Sequence, residues 1–453
     1  TACGTVTLGD SGDTFTIPAG ATITNNGTAA GFGATGAASW DTTVKTSGFT
    51  AVNGVGYFVN TTAGAITVTL PASPSAGDVV AVSDYANIFA TNNLTLGRNG
   101  SNIGGVAADS VLVVNGAAVT LVYVDATKGW IVTDSGLQSD AAELTTYVTA
   151  SVSGAGNTLT TVDTNFKLAT FTGPGTFTVC SVGNAAGSNS VDYLVVAGGG
   201  GGGGGNAGSS VGAGGGGAGG YRESPGTVSG YTASPLGAAP ATAITVTAQG
   251  YAISIGGGGP GGPGCANGTN GTPTTALSIV SAGGGFGGGR SVGPQQGCSG
   301  GSGGGGANGT AGGTGNTPPV SPSQGFPGSI ASPGTPSSSG SGGGAGATSN
   351  ISTNAEGTPG GNGVTSEITG SPVARAGGGG SGTGNANPTV GAGGAGGGGA
   401  GGGPSYSNAG TAATVNTGGG GGGATSSNSG PVSGGNGGNG GSGIVLIRYK
   451  FQN

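Results

Sequence analysis

The stretch VDYLVVAGGGGGGGGNAG, residues 191–208, passes from a strand-like apolar run directly into eight consecutive glycines. Inside a regular element a glycine costs about 0.5–1 kcal/mol relative to alanine, because glycine loses the most conformational freedom on folding. The same order, a short strand-like run and then a glycine tract, recurs at 252–256, 276–283 and 372–377. The fold class therefore depends on what ordered glycine can do physically.

Glycine tracts fit three structures: a flexible linker, a collagen triple helix, or a bundle of extended glycine helices. Collagen needs glycine at strictly every third position, whereas residues 418–423 are glycine throughout. A polyproline II helix built from glycine has three residues per turn, rises about 3.1 Å per residue and has no internal hydrogen bonds. Neighbouring helices must then satisfy its amides and carbonyls. This polyglycine II bundle is favoured over disordered tracts.

The bundle predicts a sequence period. A helix on its rim turns one residue in three toward solvent, so non-glycine residues there should recur with period three. Such spacing is found at Asn436, Asn439 and Ser442, at Pro260 and Pro263, at Ser299 and Ser302, and at Ala392 and Ala395. The tract 198–205 contains only glycine and is expected inside the bundle.

The chain before the glycine tracts has a β pattern. Runs rich in β-branched and aromatic residues lie at 56–60, 65–71, 78–85, 93–100, 110–116, 118–125 and 129–134. Short runs separated by turn residues are typical of a small sandwich or barrel. The predicted fold is mainly β: an N-terminal β segment at 1–36, a β-sandwich or barrel-like stalk at 37–137, a connector with one short helix at 138–164, and a glycine-rich domain of short strands and packed polyglycine II helices at 165–453.

Composition excludes several classes of function. The chain has no histidine, so it lacks the commonest general base and metal ligand, and 5% of its residues are charged. Neither half has the clustered basic face that nucleic acid requires, and no apolar window is long enough for membrane insertion. We expect no catalytic residues, no metal site and no cofactor. Paired carboxylates remain open by number alone, but Asp78, Asp84, Asp109 and Asp125 are interpreted as turn residues.

Two sets of side chains in the glycine-rich region are candidates for special roles. Cys265 and Cys298 lie in glycine-rich stretches and could form a disulfide; the alternative is idle thiols. Aromatic residues that interrupt the glycine tracts or lie between them are candidate receptor contacts, because binding groups are often carried on loops of a rigid scaffold. They are Tyr221, Phe286, Phe326 and Tyr406. Packing against the ends of the bundle is the alternative.

The phrases TVTLPASPSAGD (67–78), DYLVVAGGGG (192–201), GGGGAGGYR (214–222) and GGSGIVLIRYKF (440–451) resemble the glycine-rich tail fibres and tail-associated adhesins of bacteriophages. The N-terminal half is similar to tail-fibre proteins of marine and cyanobacterial phages. The resemblance implies a virion fibre or fibre tip, commonly a homotrimer, that acts outside the cell. Its N-terminal region would contact other tail or baseplate proteins. Its glycine-rich region would present loops to a host surface glycan or outer-membrane protein.

Other functions remain open. A bacterial extracellular fibre or surface protein could use the same bundle for self-assembly. An ice-binding protein would suit a flat uncharged array, but the long β N-terminus and the lack of regular threonine ladders disfavour it. A glycan-degrading spike depends on the carboxylates above.

Overall fold

The computed structural model describes residues 38–137, 145–184, 187–206, 211–290, 295–331, 339–349, 351, 356–384, 389–403, 409–426 and 434–452. The chain divides into two compact units, Thr1–Glu143 and Leu144–Asn453. The described residues form many strands and a short 3-10 helix, Pro235–Gly237, so the fold is mainly β, as predicted. The predicted N-terminal β segment at 1–36 lies outside the described residues.

The first unit is a two-layer sandwich. Its strands are β1 (Ser39–Lys45), β2 (Phe49–Thr50), β3 (Val55–Val59), β4 (Ile66–Thr69), β5 (Val79–Asp84), β6 (Leu94–Gly97), β7 (Ser110–Leu112), β8 (Ala117–Asp125) and β9 (Gly129–Leu137). One sheet has the order β1-β3-β5-β8-β9 and the other β2-β4-β6-β7. The seven runs predicted from the sequence correspond to β3–β9.

The first strands of this unit are paired in parallel. β1, β3 and β5 are parallel neighbours in one sheet, and β2, β4 and β6 are parallel neighbours in the other. The chain therefore alternates between sheets and stacks successive coils, as in a β-solenoid, before β7, β8 and β9 add antiparallel strands. Alternating residues such as Ile66 and Val68 point into the core between the sheets, where Trp130 is fully buried.

The second unit contains the remaining strands. They are β10 (Thr149–Val152), β11 (Thr158–Val162), β12 (Phe166–Phe171), β13 (Gly175–Ser181), β14 (Ser190–Val196), β15 (Tyr221–Glu223), β16 (Ile244–Thr245), β17 (Gly250–Ile253), β18 (Thr274–Ala276), β19 (Ile279–Ser281), β20 (Val364–Ser366), β21 (Val373–Arg375) and β22 (Ile444–Lys450). Its central sheet has the order β11-β12-β22-β14-β15, and β16 also pairs with β14.

Strand β22 lies in the middle of the central sheet, antiparallel to both β12 and β14. Both faces of this sheet are buried, which explains the continuous apolar run IVLI at 444–447. Val445 and Ile447 face one core cluster, while Ile444 and Leu446 face another. The sheet is thus a slab with packed residues on either side.

Residues 145–164 differ from the predicted connector with a short helix. They form β10 and β11, which pair with β13 and β12, and they belong to the second unit. The β-branched residues of TLTTV, 158–162, favour a strand, and β12 supplies the hydrogen-bond partners. The start of the predicted helix, at 138–144, lies outside the described residues.

Beyond the sheet the second unit is built from extended glycine-rich segments, which we call threads. The thread at 198–205, here the inner thread, is entirely buried. Its N–H groups donate in turn to three neighbouring threads: residues 198, 201 and 204 to 266–272, residues 199, 202 and 205 to 435–441, and residues 200 and 203 to 214–217. Repetition at every third residue confirms the predicted polyglycine II geometry.

The carbonyls of the inner thread follow the same period. They accept N–H groups from three further threads, at 284–290, 259–262 and 421–424, with N···O distances of 2.8–3.0 Å. Residue numbers fall along the three threads that accept N–H groups from the inner thread, and they rise along the three threads that donate to its carbonyls. The inner thread is therefore hydrogen-bonded to six neighbours of mixed direction, and it is held by backbone rather than by side chains.

Candidate functional site: the glycine bundle and its rim

Close approach of the threads explains why their residues are glycine. A Cβ atom on Gly201 would lie 2.0 Å from the Pro260 carbonyl oxygen, and one on Gly202 would lie 2.0 Å from that of Gly422. Real Cβ contacts are essentially never shorter than 3.0 Å. A side chain inside the bundle must therefore push neighbouring backbone apart.

The predicted rim residues are largely confirmed. Asn436, Asn439, Pro260 and Pro263 are exposed, and so are Ala392 and Ala395, while Ser299 and Ser442 are half-buried. Proline suits an outward position because it has no N–H group that needs an acceptor. The prediction is wrong for Ser302, which is fully buried because its side chain faces the backbone at Gly325 rather than solvent.

Asparagine side chains close the rim where no further thread follows. Asn439 Oδ1 accepts the Gly261 N–H at 2.9 Å, and Asn436 Oδ1 accepts that of Gly264 at 3.0 Å. On another thread, Asn267 and Asn270 accept the N–H groups of Gly289 and Phe286, at 2.7 and 2.9 Å.

Sequence reasoning missed the pair Asn267 and Asn270, although they are three residues apart in ANGTNG, 266–271. Their spacing is the period-three signal that located Asn436 and Asn439. An asparagine carbonyl at such a position takes the place of the backbone carbonyl of an absent neighbour.

The bundle has two ends. At the sheet end, next to the central sheet, Ala197 donates to Gly220, and Gly443 donates to Gly256. At the open end, away from that sheet, Gly204 donates to Ala266 and Arg290 donates to Gly204. The connections that leave the threads there, after residues 206, 290, 331, 384, 403 and 426, lie outside the described residues.

The candidate receptor contacts occupy different environments. Tyr221 is 1% exposed at the sheet end, so its ring presents no surface to a partner. Phe286 and Phe326 are half-buried on threads, and Tyr406 lies outside the described residues. Of the three described residues, Tyr221 is therefore enclosed by the protein, while Phe286 and Phe326 lie on different threads.

Tyr221 belongs to a buried polar cluster that joins the central sheet to β20 and to the loop that contains Ser234. Its hydroxyl donates to Glu223 Oε2 at 2.9 Å, and the Ser234 N–H donates to the same oxygen at 3.0 Å. The Ser366 hydroxyl donates to the other Glu223 oxygen. Burial raises the pKa of Tyr221 well above its ordinary value, and the nearby Glu223 carboxylate adds to that shift. These partners satisfy Glu223, which is consistent with a structural role.

A second buried carboxylate is satisfied in the same way. Asp192 is fully buried; its Oδ1 accepts the Ser224 hydroxyl at 2.8 Å, and its Oδ2 accepts both the hydroxyl and the N–H of Ser229. Nearby, Arg448 is 2% exposed, forms an ion pair with Asp163 and stacks over Phe166. These groups fix the central sheet against its surroundings.

The four aspartates considered as catalytic candidates cap turns and loops. Asp84 Oδ2 accepts N–H groups of Ile88, Phe89 and Gly116, and Asp125 Oδ1 accepts those of Thr127 and Lys128. Asp78 accepts the Ser75 N–H and Asp109 accepts the Arg98 N–H. These contacts agree with their interpretation as turn residues.

Cys265 and Cys298 are free thiols, so the candidate disulfide is absent. The Cys298 N–H donates to the Phe286 carbonyl, whereas the Cys265 carbonyl lies beside Gly289. Phe286 and Gly289 are one helical turn apart on the same thread, about 9 Å along its axis. Disulfides need Cα atoms within about 7 Å, so the register of the threads keeps these cysteines apart.

Neither a metal-binding cluster nor a membrane-spanning helix is present among the described residues. These residues contain no group of three or more cysteine or acidic side chains placed to hold a metal ion. No helix in the described part of the chain has the length and apolar character needed to cross a bilayer.

Residues 170–450 match the profile of a family described as a glycine-rich domain, and the match spans more than half of the chain. The matched region begins in β12 and ends with β22, so it includes the described threads and the central strands that anchor them. No curated protein matches the chain.

Proposed function

The chain belongs to the glycine-rich domain family, and on that premise we propose that it is a virion structural protein, a tail fibre or fibre-tip adhesin that binds a host cell-surface receptor. The observation that carries the proposal is the inner thread, whose N–H groups all donate to neighbouring threads and which has no exposed residue. Such a body is rigid without an extensive apolar core, and it can hold binding groups on its rim and ends.

Charge supports the same role. Ionisable side chains are rare in the threads, and Arg290 at the open end is an exception. A rigid, nearly uncharged rim favours contact with neutral surface molecules over binding of nucleic acid. We propose a structural and binding role without catalysis, a homotrimeric fibre, attachment to tail or baseplate proteins through the N-terminal region, and location in the virion.

Two measurements test the function. Antibodies against the chain should label the tail of virions whose genome encodes it, as seen by electron microscopy. The fluorescently labelled full chain should bind host cells, and unlabelled chain should compete with the virion for adsorption. Labelling of filaments on bacterial cells, with none on virions, would reject the proposal in favour of a bacterial extracellular fibre.

A further inference from the structure

A groove of about 460 Å³ runs along one side of the bundle, within the size range of ligand pockets. We call it the lateral groove. Thread 283–290 borders it between threads 266–272 and 297–301. The Gly271 N–H donates to the Gly284 carbonyl at 2.9 Å, and the Gly301 N–H donates to the Gly283 carbonyl at 2.8 Å. The walls are therefore bonded directly to the thread between them.

One end of the groove is formed by a loop that Gln324 holds in place. Gln324 is 1% exposed; its Oε1 accepts the Ala282 N–H at 2.9 Å and its Nε2 donates to the Pro318 carbonyl at 2.8 Å. Asn316 Oδ1 accepts the N–H groups of Val320 and Gln324 from the other side of the loop. The cavity is thus formed before any ligand arrives, which lowers the entropic cost of binding.

The lining combines apolar surface with a few polar groups. Val280 is 55% exposed and lies in the groove with Pro318 and Val320. None of the lining side chains is ionisable. A charged ligand would lose water there without gaining a charged partner, so the lining selects a neutral one.

Two lining side chains have hydrogen-bonding capacity left over. Asn270 uses Oδ1 to accept the Phe286 N–H, while its Nδ2 donates only to the weak acceptor Cys298 Sγ at 3.4 Å. Ser299 Oγ accepts both the N–H and the hydroxyl of Thr314, so its own hydrogen remains to be donated. These donors stand on opposite walls, and together they suit a ligand with several hydroxyl acceptors.

We propose that the lateral groove binds a short neutral saccharide. Sugar hydroxyls accept from Asn270 and Ser299, and the C–H surface of the ring packs on Val280 and the adjoining apolar side chains. This inference rests on the proposed adhesin function, because it assigns a glycan subsite to the flank of the bundle rather than to its open end.

The experiment is saturation-transfer NMR of the full chain. The probes are the methyl glycosides of glucose, galactose, mannose and N-acetylglucosamine, with maltose and lactose, and sialyllactose as the charged comparison. Asn270→Asp keeps the acceptor for the Phe286 N–H but replaces the Nδ2 donor with a negative charge. Its matched control is Asn267→Asp, one turn away on the same thread and outside the groove.

Val280→Trp fills the groove from an exposed strand position, and Val415→Trp is its control at an exposed rim position outside the groove. We expect at least one neutral probe to bind, and Asn270→Asp and Val280→Trp to weaken that binding by about tenfold or more. Both controls should bind like the parent chain.

Binding that survives in Val280→Trp, a lack of binding by every neutral probe, or equally strong binding of sialyllactose would each overturn the inference. The outcome for the proposed function is separate. A chain that binds host cells but no neutral probe retains the adhesin role and loses the saccharide groove. A chain whose groove binds a neutral probe but which attaches to neither virion nor cell retains the groove and loses the proposed function.

Discussion

Alanine substitutions at two adjacent glycines, Gly257 and Gly258, would measure how much the close packing of threads contributes to stability. A Cβ atom on Gly257 would meet nothing closer than Thr272 Oγ1, at 4.0 Å. A Cβ atom on Gly258 would lie 1.9 Å from the Gly440 carbonyl oxygen. Both residues lie outside the left-handed region, so alanine is allowed at either position by backbone conformation. The two substitutions therefore differ in what the new methyl group touches.

The expected cost at Gly258 follows from these distances. Raising the 1.9 Å contact to the 3.0 Å limit separates the threads by about 1 Å. The Gly440 N–H to Gly259 carbonyl bond, now 2.9 Å, would then approach 4 Å and be lost. Overpacking costs about 1–3 kcal/mol and each lost bond about 0.5–1.5 kcal/mol. We expect Gly258→Ala to lower the free energy of unfolding by about 2–4 kcal/mol.

Gly257→Ala should be neutral or raise the free energy of unfolding by up to about 1 kcal/mol, because alanine restricts the unfolded chain. Urea unfolding followed by tyrosine absorbance would report mainly on the second unit, because Tyr57, Tyr85 and Tyr123 are the tyrosines of the first unit and the other seven of the ten belong to the second. The two tryptophans, Trp40 and Trp130, both lie in the first unit, so their fluorescence is an internal control that should not change. Equal effects of the two substitutions would refute the close packing of threads.

Three further predictions concern the rim, pH and assembly. Asn439→Ala removes the acceptor for the Gly261 N–H and should cost about 0.5–1.5 kcal/mol in urea unfolding, whereas Asn439→Asp keeps an acceptor oxygen and should cost less. Burial raises the pKa of the Tyr449 hydroxyl from 10.0 to about 12, so on raising the pH the unfolded chain loses this proton before the folded chain does. The free energy of unfolding should therefore be highest below pH 10 and fall as the pH rises toward 12, as measured by urea midpoints. Light scattering should give three times the chain mass of 41.0 kDa, and an open polymer would favour the bacterial fibre.

Local sequence pattern predicted much of the first unit but not its pairing. The runs at β3–β9 were evident because they are rich in β-branched and aromatic residues and are separated by turn residues. The parallel pairing of Phe49 with Val68 joins residues from different coils. Side chains alternate with the same period in parallel and antiparallel strands, so the sequence of one strand does not predict whether its neighbour is parallel or antiparallel.

The bundle was predictable where the sequence of a single thread indicates which of its residues are exposed. Period three marked Asn436 and Asn439 as outward, and unbroken glycine marked 198–205 as inward. A period of three shows which positions of a thread share one side, but not whether that side faces solvent or another segment. Ser302 was wrongly predicted to be exposed for this reason, since Gly325 covers its side of the thread. The lateral groove was missed because it depends on three threads and a distant loop held by Gln324.

Glycine insertions test whether stability depends on the direction in which each side chain faces or only on the length of the thread. One glycine inserted after Asn439, with β22 fixed in the sheet, would move Asn439 to the position of Gly438, where a Cβ lies 1.9 Å from the Thr411 carbonyl oxygen. Three inserted glycines would move it to the position of Asn436, which again faces outward.

One glycine inserted between Gly201 and Gly202 leaves glycine at every position of the inner thread, and the extra length passes beyond residue 205. We therefore expect the single insertion after Asn439 to lower the urea midpoint of the second unit most. The triple insertion there should recover much of the loss, and the single insertion in the inner thread should cost least. A cost that simply rises with the number of inserted residues would mean that thread length, rather than the threefold facing of side chains, limits stability.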